Sequence, residues 1–188
     1  MKNEITIRDI AGFCPEEAVW KMMADVSGVL LKETNGVVIH PDAILVDGDT
    51  FFLENRTTPD STFLAPEQES SQKPDTEQMV WALGATAYFM ATGHIIFGGF
   101  GGQYQRQHPA VALPMLSKSM YELTPVLHRC LQQKPTERIR LEELKGLADN
   151  GLVACNKRTR ESHVQKMQEL THIAKCQGER WPEQMIET

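Results

Sequence analysis

Hydrophobic positions recur along this chain in blocks of different period, and each block predicts an element. Ala18, Val19, Met22, Met23, Val26, Val29 and Leu30 recur every three or four residues, the spacing of a helix with one buried face. Pro15 suits its first helical position, Glu16 and Glu17 suit its positive end, and Asn35-Gly36 supplies a stop. Ahead of it, Ile5-Thr6-Ile7-Arg8-Asp9-Ile10 is a short amphipathic segment of one or two helical turns. Two apolar runs follow, Val37-Val38-Ile39 and Ala43-Ile44-Leu45-Val46. Asp47-Gly48-Asp49 then turns the chain into Thr50-Phe51-Phe52-Leu53, a hairpin signal.

The strongest block is residues 75–93, DTEQMVWALGATAYFMATG. Asp75 with Gln78 three residues on forms a capping box at its start. Residues 79–91 carry no charge and leave no polar face, so this helix is buried on every side, with Val80, Trp81, Leu83, Tyr88 and Phe89 in the core. Its thirteen uncharged residues fall short of the ~20 that cross a bilayer, which makes it the centre of a soluble core.

Residues 93–102 are glycine-rich. A phosphate cradle would follow a strand and carry a Lys-Ser/Thr pair, whereas this stretch follows a helix and holds no lysine; a structural turn is the reading. Ser119 with Glu122 reads as a second capping box, with Leu116 as its staple, opening a helix whose core face is Leu123, Val126, Leu127, Cys130 and Leu131. Pro135 ends it, and Leu141 to Leu147 forms a short further helix. Beyond Asn150-Gly151 a polar tail helix carries Val164, Met167, Leu170 and Ile173 at threefold spacing, a thin stripe that packs on the domain or meets a partner.

Composition narrows the function classes. The net charge of −6 argues against nucleic acid, and 41% hydrophobic residues suffice for a core. Cys14, Cys130, Cys155 and Cys176 show no C-x-x-C spacing, so reduced cytoplasmic thiols are expected rather than disulfides or zinc. The six histidines include no H-x-x-x-H pair, and residues 1–13 lack a signal-length apolar run. A cytoplasmic chain with no membrane segment is the expectation.

Taken in order, five segments resemble the C-terminal lobe of a protein kinase. Residues 44–49, ILVDGD, look like the hairpin after the catalytic loop. Ala65-Pro66-Glu67 matches the A-P-E that closes an activation segment. Val80-Trp81-Ala82-Leu83-Gly84 resembles the D-V-W-S-L-G of the buried central helix. Residues 91–99, ATGHIIFGG, are similar to L-T-G-x-x-P-F. Residues 130–138, CLQQKPTER, with Glu143-Leu144 after them, resemble C-L-x-x-D-P-x-x-R and its trailing E-L.

The departures from that pattern are equally specific. Only fourteen residues precede the first long helix, too few for the lobe that holds ATP phosphates. The catalytic loop shrinks to Ile39-His40-Pro41-Asp42-Ala43-Ile44-Leu45, with Ala43 at the metal-binding Asn and no H-R-D, so His40 and Asp42 inherit no role and His40→Ala is expected to matter little. The D-F-G site reads Leu53-Glu54-Asn55-Arg56, and Met79 replaces the Asp that ties the central helix to the loop backbone. Glu67 and Arg138 occupy the family's buried structural ion pair, and the resemblance implies a strongly destabilising Glu67→Ala.

The likeness therefore implies a mainly α, kinase C-lobe-like domain over residues 1–150, built around one central helix with a small β-hairpin, and a helical tail over 151–188. A lone C-lobe is similar to the kinase non-catalytic C-lobe domain, whose members bind partner peptides, and residues 5–10 with Pro15-Glu16-Glu17-Ala18-Val19-Trp20 resemble its start. The function implied is that of a pseudokinase-type module, not an enzyme, without cofactor, ATP or Mg²⁺, acting through a protein or peptide partner and using neither nucleic acid nor membrane. A split kinase completed by another chain, and a scaffold or oligomer joined through Val164, Met167, Leu170 and Ile173, remain the alternatives.

Overall fold

The computed structural model describes residues 4–33, 36–54, 58–69 and 72–179, the side chains of 174–179 excepted. The expected stop at Asn35 and the Asn55-Arg56 pair lie outside the described residues. The chain divides into two units, Met1–Leu152 and Val153–Thr188. Among the described residues there are six α-helices and one two-stranded hairpin, a mainly helical fold.

In the first unit, helix α1 (Ile7–Ile10) is a single turn held by the Thr6 amide donating to Asp9 Oδ2 at 2.8 Å. Helix α2 (Glu16–Leu30) starts one residue later than its proline suggests, because Pro15 is the extended cap and Glu16 the first helical residue. It buries Val19, Trp20, Met22, Met23, Val26 and Leu30, while Ala18 and Val29 lie at the margin of that face. The hairpin pairs β1 (Ile44–Asp47) with β2 (Thr50–Leu53), Asp47 opposite Thr50 and Ile44 opposite Leu53. Strand β2 packs on α2, where Asp25 Oδ2 accepts from the Phe51 amide at 3.1 Å, and Val46 donates to the Ile5 carbonyl at 2.8 Å. Backbone groups on both hairpin edges are thereby satisfied by the N-terminal segment and α2.

Helix α3 (Thr76–Thr92) is the core of this unit. Its capping box is complete: Asp75 Oδ1 accepts from the Gln78 amide at 2.8 Å, and Gln78 Oε1 accepts from the Asp75 amide at 3.0 Å. Gly93, in the left-handed region at φ 74°, closes it. Every residue from 78 to 87 is buried, as an all-round apolar helix requires. Val80, Trp81, Leu83 and Phe89 are core residues. Tyr88 is a correction: it is half-buried, its polar tip being better placed at the edge of a core than in its middle.

Two local readings change downstream. The glycine-rich stretch follows α3, and it also opens a helix that its sequence does not announce, α4 (Gly101–Gln107). Residues 101 and 102 lie against the backbone of residues 62–66, where a side chain at either position would overlap the Thr62 or Leu64 carbonyl. Ser119 does not cap a helix, since a 3₁₀ turn occupies Lys118–Met120, its hydroxyl faces Ser117 Oγ at 2.8 Å, and α5 (Leu123–Cys130) starts four residues later. The expected face of α5, with Leu131 just beyond it, is fully buried.

The short helix ending at Leu147 is overturned. Helix α6 runs unbroken through Leu141–Glu179. It passes through Asn150-Gly151, where Gly151 is a point of close approach: a Cβ there would lie 2.5 Å from the indole of Trp20. In the second unit, Val153–Thr188, α6 is polar on most of its surface. No helix among the described residues is long and apolar enough to cross a membrane.

Candidate functional site

Three groups of side chains emerge from this framework. The first joins residues 71 positions apart: the Arg138 guanidinium forks onto Glu67, Nη1 to Oε1 and Nη2 to Oε2, both at 2.7 Å. Its remaining donors reach carbonyls, Nε to Gln132 at 2.8 Å, Nη1 to Glu77 at 3.0 Å and Nη2 to Gln133 at 3.0 Å. All five donors of the fork are thus used. The burial expected of the pair holds for one partner only, the Arg138 side chain being 0% exposed and that of Glu67 30%. Glu67 sits in a turn after the buried run 63–66, where one edge of its carboxylate stays wet. The pair ties that turn to the start of α3 and to the segment after α5.

The second group surrounds the loop between α2 and β1. Arg8 on α1 donates from Nε to both Asp42 oxygens at 2.8 Å and from Nη2 to Asp60 Oδ2 at 2.9 Å, and its guanidinium carbon lies 5.6 Å from the centre of the Phe89 ring. The hydrogen bond to Asp42 raises the Arg8 pKa. Burial pushes Asp60 up, but hydrogen bonds from the Thr62 hydroxyl and amide and from Arg8 outweigh it, holding Asp60 below the ordinary carboxylate range.

His40 stands beside these charges, 5% exposed, with Nδ1 3.7 Å from Asp42 Oδ2. Neither ring nitrogen makes a hydrogen bond of good geometry among the described residues, and the Thr58 backbone interacts with the ring only weakly. Burial lowers its pKa, against the pull of Asp42 and Asp60, so the ring is neutral near pH 7. The expectation that His40→Ala matters little is therefore corrected. The imidazole fills core volume, and truncating a buried ring leaves a cavity. Sequence spacing carries no signal of this burial, because groups distant in the chain, Arg8 and Asp60 among them, come together beside the ring.

The third group is the stripe on α6. Val164, Met167, Leu170 and Ile173 are 57, 62, 56 and 51% exposed. Val164 and Met167 share one open side of α6 with His163, Gln168, Thr171 and His172. A residue that sequence reading missed is Gln105 on α4. Buried, it accepts from Trp81 Nε1 at 3.0 Å and donates to the Leu131 carbonyl at 2.7 Å, joining α3, α4 and the end of α5. A buried tryptophan needs a partner for its indole N–H, and that need was the one clue to it.

Two further placements bear on chemistry. Met79, on the buried face of α3, accepts the Val37 amide on its sulfur at 3.3 Å, so it meets the backbone just before His40. Among the described residues no three His, Cys, Asp or Glu side chains are arranged to hold a metal ion. Compared with models of known protein families and with curated proteins, the chain matches none.

Proposed function

We propose that this chain is a catalytically inactive, pseudokinase-type module of the protein-kinase C-lobe class, acting by protein–protein interaction through its tail helix. The observation that carries the interaction role is the α6 stripe, four large apolar side chains each more than half exposed on one helix. Water-exposed apolar surface of that kind is what a partner covers. Two contacts support the C-lobe likeness. Glu67 and Arg138 form a bidentate pair from the A-P-E and C-L-x-x-x-P-x-x-R segments. Met79, at the position of the kinase aspartate, accepts the Val37 amide two residues ahead of the shortened loop Ile39–Leu45, with a weak sulfur acceptor in place of a carboxylate. Around a transferring phosphate a kinase needs placed charges, and the residues at those positions here, Ala43 and Leu53-Glu54, do not provide them as a set.

Two measurements test the reading. Thermal unfolding with and without Mg-ATP is expected to show no shift; a rise of several degrees would mean that the module has kept nucleotide chemistry. Proteins retained from a native lysate by the full chain are expected to be lost with Met167→Glu/Leu170→Glu. Identical retention by both would remove the tail from the function.

A further inference from the structure

Along α4 and its two flanking residues runs a row of aromatic rings. Phe100, Tyr104 and His108 follow one another at the four-residue spacing that shares one helix face. The Tyr104 ring lies 6.1 Å from Phe100 at 25° and 4.2 Å from His108 at 20°, and Phe97 joins the stack at 6.2 Å and 26°. Phe100 is 65% exposed, His108 is exposed, and the other two rings are half-buried. The His108 ring is fixed by Nδ1, which donates to the Tyr104 carbonyl at 3.1 Å. Phe97 takes the left-handed conformation, φ 55°, as no other non-glycine among the described residues does, and a bulky side chain is strained there. Beneath the row α4 is anchored, Gln105 bonding Trp81 and the Leu131 carbonyl while residues 101 and 102 abut the backbone of 62–66. The rings are therefore ordered before anything binds them, which lowers the entropy cost of binding.

The polar groups beside the rings are donors. At about 100° of turn per residue, Gln107 and Gln103 fall next to the aromatic row and Arg106 beyond them, all three exposed. Among the described residues none of these side chains, nor the Tyr104 hydroxyl, has a hydrogen-bond or ion-pair partner. Arg106 can only donate, the amides and the hydroxyl can donate, and the free Nε2 of neutral His108 is the one group obliged to accept. From Gln78 to Tyr121 the sequence holds no Asp or Glu. Such a surface is matched by a ligand with apolar rings and with acceptors but few donors. A proline-rich segment in the polyproline II conformation is that ligand, since each proline carries a ring and a carbonyl, lacks an N–H, and leaves its carbonyl unused within the helix. Length agrees: Phe100 to His108 spans about 12 Å at 1.5 Å per residue, which about four residues of polyproline II cover at 3.1 Å each. The other occupants fit less well. Saccharide hydroxyls must donate as well as accept and would find few acceptors here. A nucleic-acid strand needs cations along its phosphates, and α4 supplies Arg106 alone. A second copy would set the same donors against each other.

We propose that the aromatic row of α4 is a docking surface for a proline-rich segment of a partner protein. Its prolines pack on the rings, as in other aromatic-lined sites for this conformation, and its carbonyls accept from Gln103, Gln107 and the Tyr104 hydroxyl. The surface belongs to the first unit and is independent of the α6 stripe, so its failure would leave the reading of the tail untouched.

The test is fluorescence anisotropy of a labelled decaproline peptide titrated with the full chain. Saturable binding is expected, with a Kd on the order of 100 μM or tighter, and a Gly-Ser peptide of equal length, a flexible coil, should not bind. Phe100→Ala should weaken the binding by about tenfold or more. Gln103→Glu/Gln107→Glu, which replaces donors by acceptors at nearly constant volume, should do the same. All three positions are exposed, so circular dichroism and melting of the variants should match the parent chain. No binding of decaproline, equal binding of the Gly-Ser peptide, or binding unchanged by either variant overturns the inference. Binding of cellohexaose or oligo(dT) that Phe100→Ala removes, or self-association in sedimentation that the same variant abolishes, overturns it in favour of those occupants.

Discussion

Removing Glu67 and removing Arg138 are unequal perturbations, although they break the same ion pair. Arg138 is enclosed and gives five hydrogen bonds, two to Glu67 and three to carbonyls of Gln132, Gln133 and Glu77. Glu67→Ala deletes two charge-assisted bonds but leaves the guanidinium its three carbonyls. The 30% exposure of the Glu67 side chain also lets water reach the vacated edge. Breaking a fully buried pair costs about 3–5 kcal/mol, and this partial exposure brings the expected loss to roughly 2–3 kcal/mol. Arg138→Ala orphans three carbonyls and empties the volume of a long side chain, for an expected loss of about 4–5 kcal/mol. Once Arg138 is gone, Glu67 is a solvated surface carboxylate, and the double variant should be within about 0.5 kcal/mol of Arg138→Ala alone. Urea unfolding followed by tryptophan fluorescence reads this out, since Trp20 and Trp81 are buried in the same unit as the pair. A Glu67→Ala loss below about 0.5 kcal/mol, or an Arg138→Ala loss no larger than that of Glu67→Ala, would refute the reasoning.

The geometry predicts three further outcomes. A Cβ on Gly84 would lie 2.6 Å from Cβ of Cys130, so Gly84→Ala should cost about 1–3 kcal/mol by forcing α3 from α5, although alanine is the better helix former, and a raised melting temperature would contradict the close approach. Burial holds His40 below its ordinary 6.5. The unfolded chain takes up that proton first, so stability is full above pH 6.5 and declines as pH falls toward the folded value. His40→Leu should flatten this decline relative to the parent, and parallel pH profiles would count against a buried neutral ring. Burial pushes the Cys130 thiol up to about 12 and that of half-buried Cys14 up less far, so a thiol reagent at pH 8 should modify Cys14 well before Cys130 in the native protein; equal rates, read by mass spectrometry of the peptides, would contradict the packing.

Which features were legible in the chain depends on the range of the forces involved. The capping box of Asp75 and Gln78, the faces of α2 and α5 and the Asp-Gly hairpin are decided within a few residues, by backbone hydrogen bonds and by the helical period. An uncharged thirteen-residue run could only be buried, so the centre of the fold was also determined by sequence alone. Tertiary packing decided the rest. Gly151 carries no local signal of contact and becomes a contact point only because Trp20, far earlier in the chain, lies against it. Gln105 looks like any surface glutamine until Trp81 and the Leu131 carbonyl need its two ends. His40 is enclosed and the Glu67 side chain 30% exposed, neither of which the local pattern distinguishes. Burial and pairing of this kind depend on groups many residues apart, and a local pattern carries no record of which of them meet.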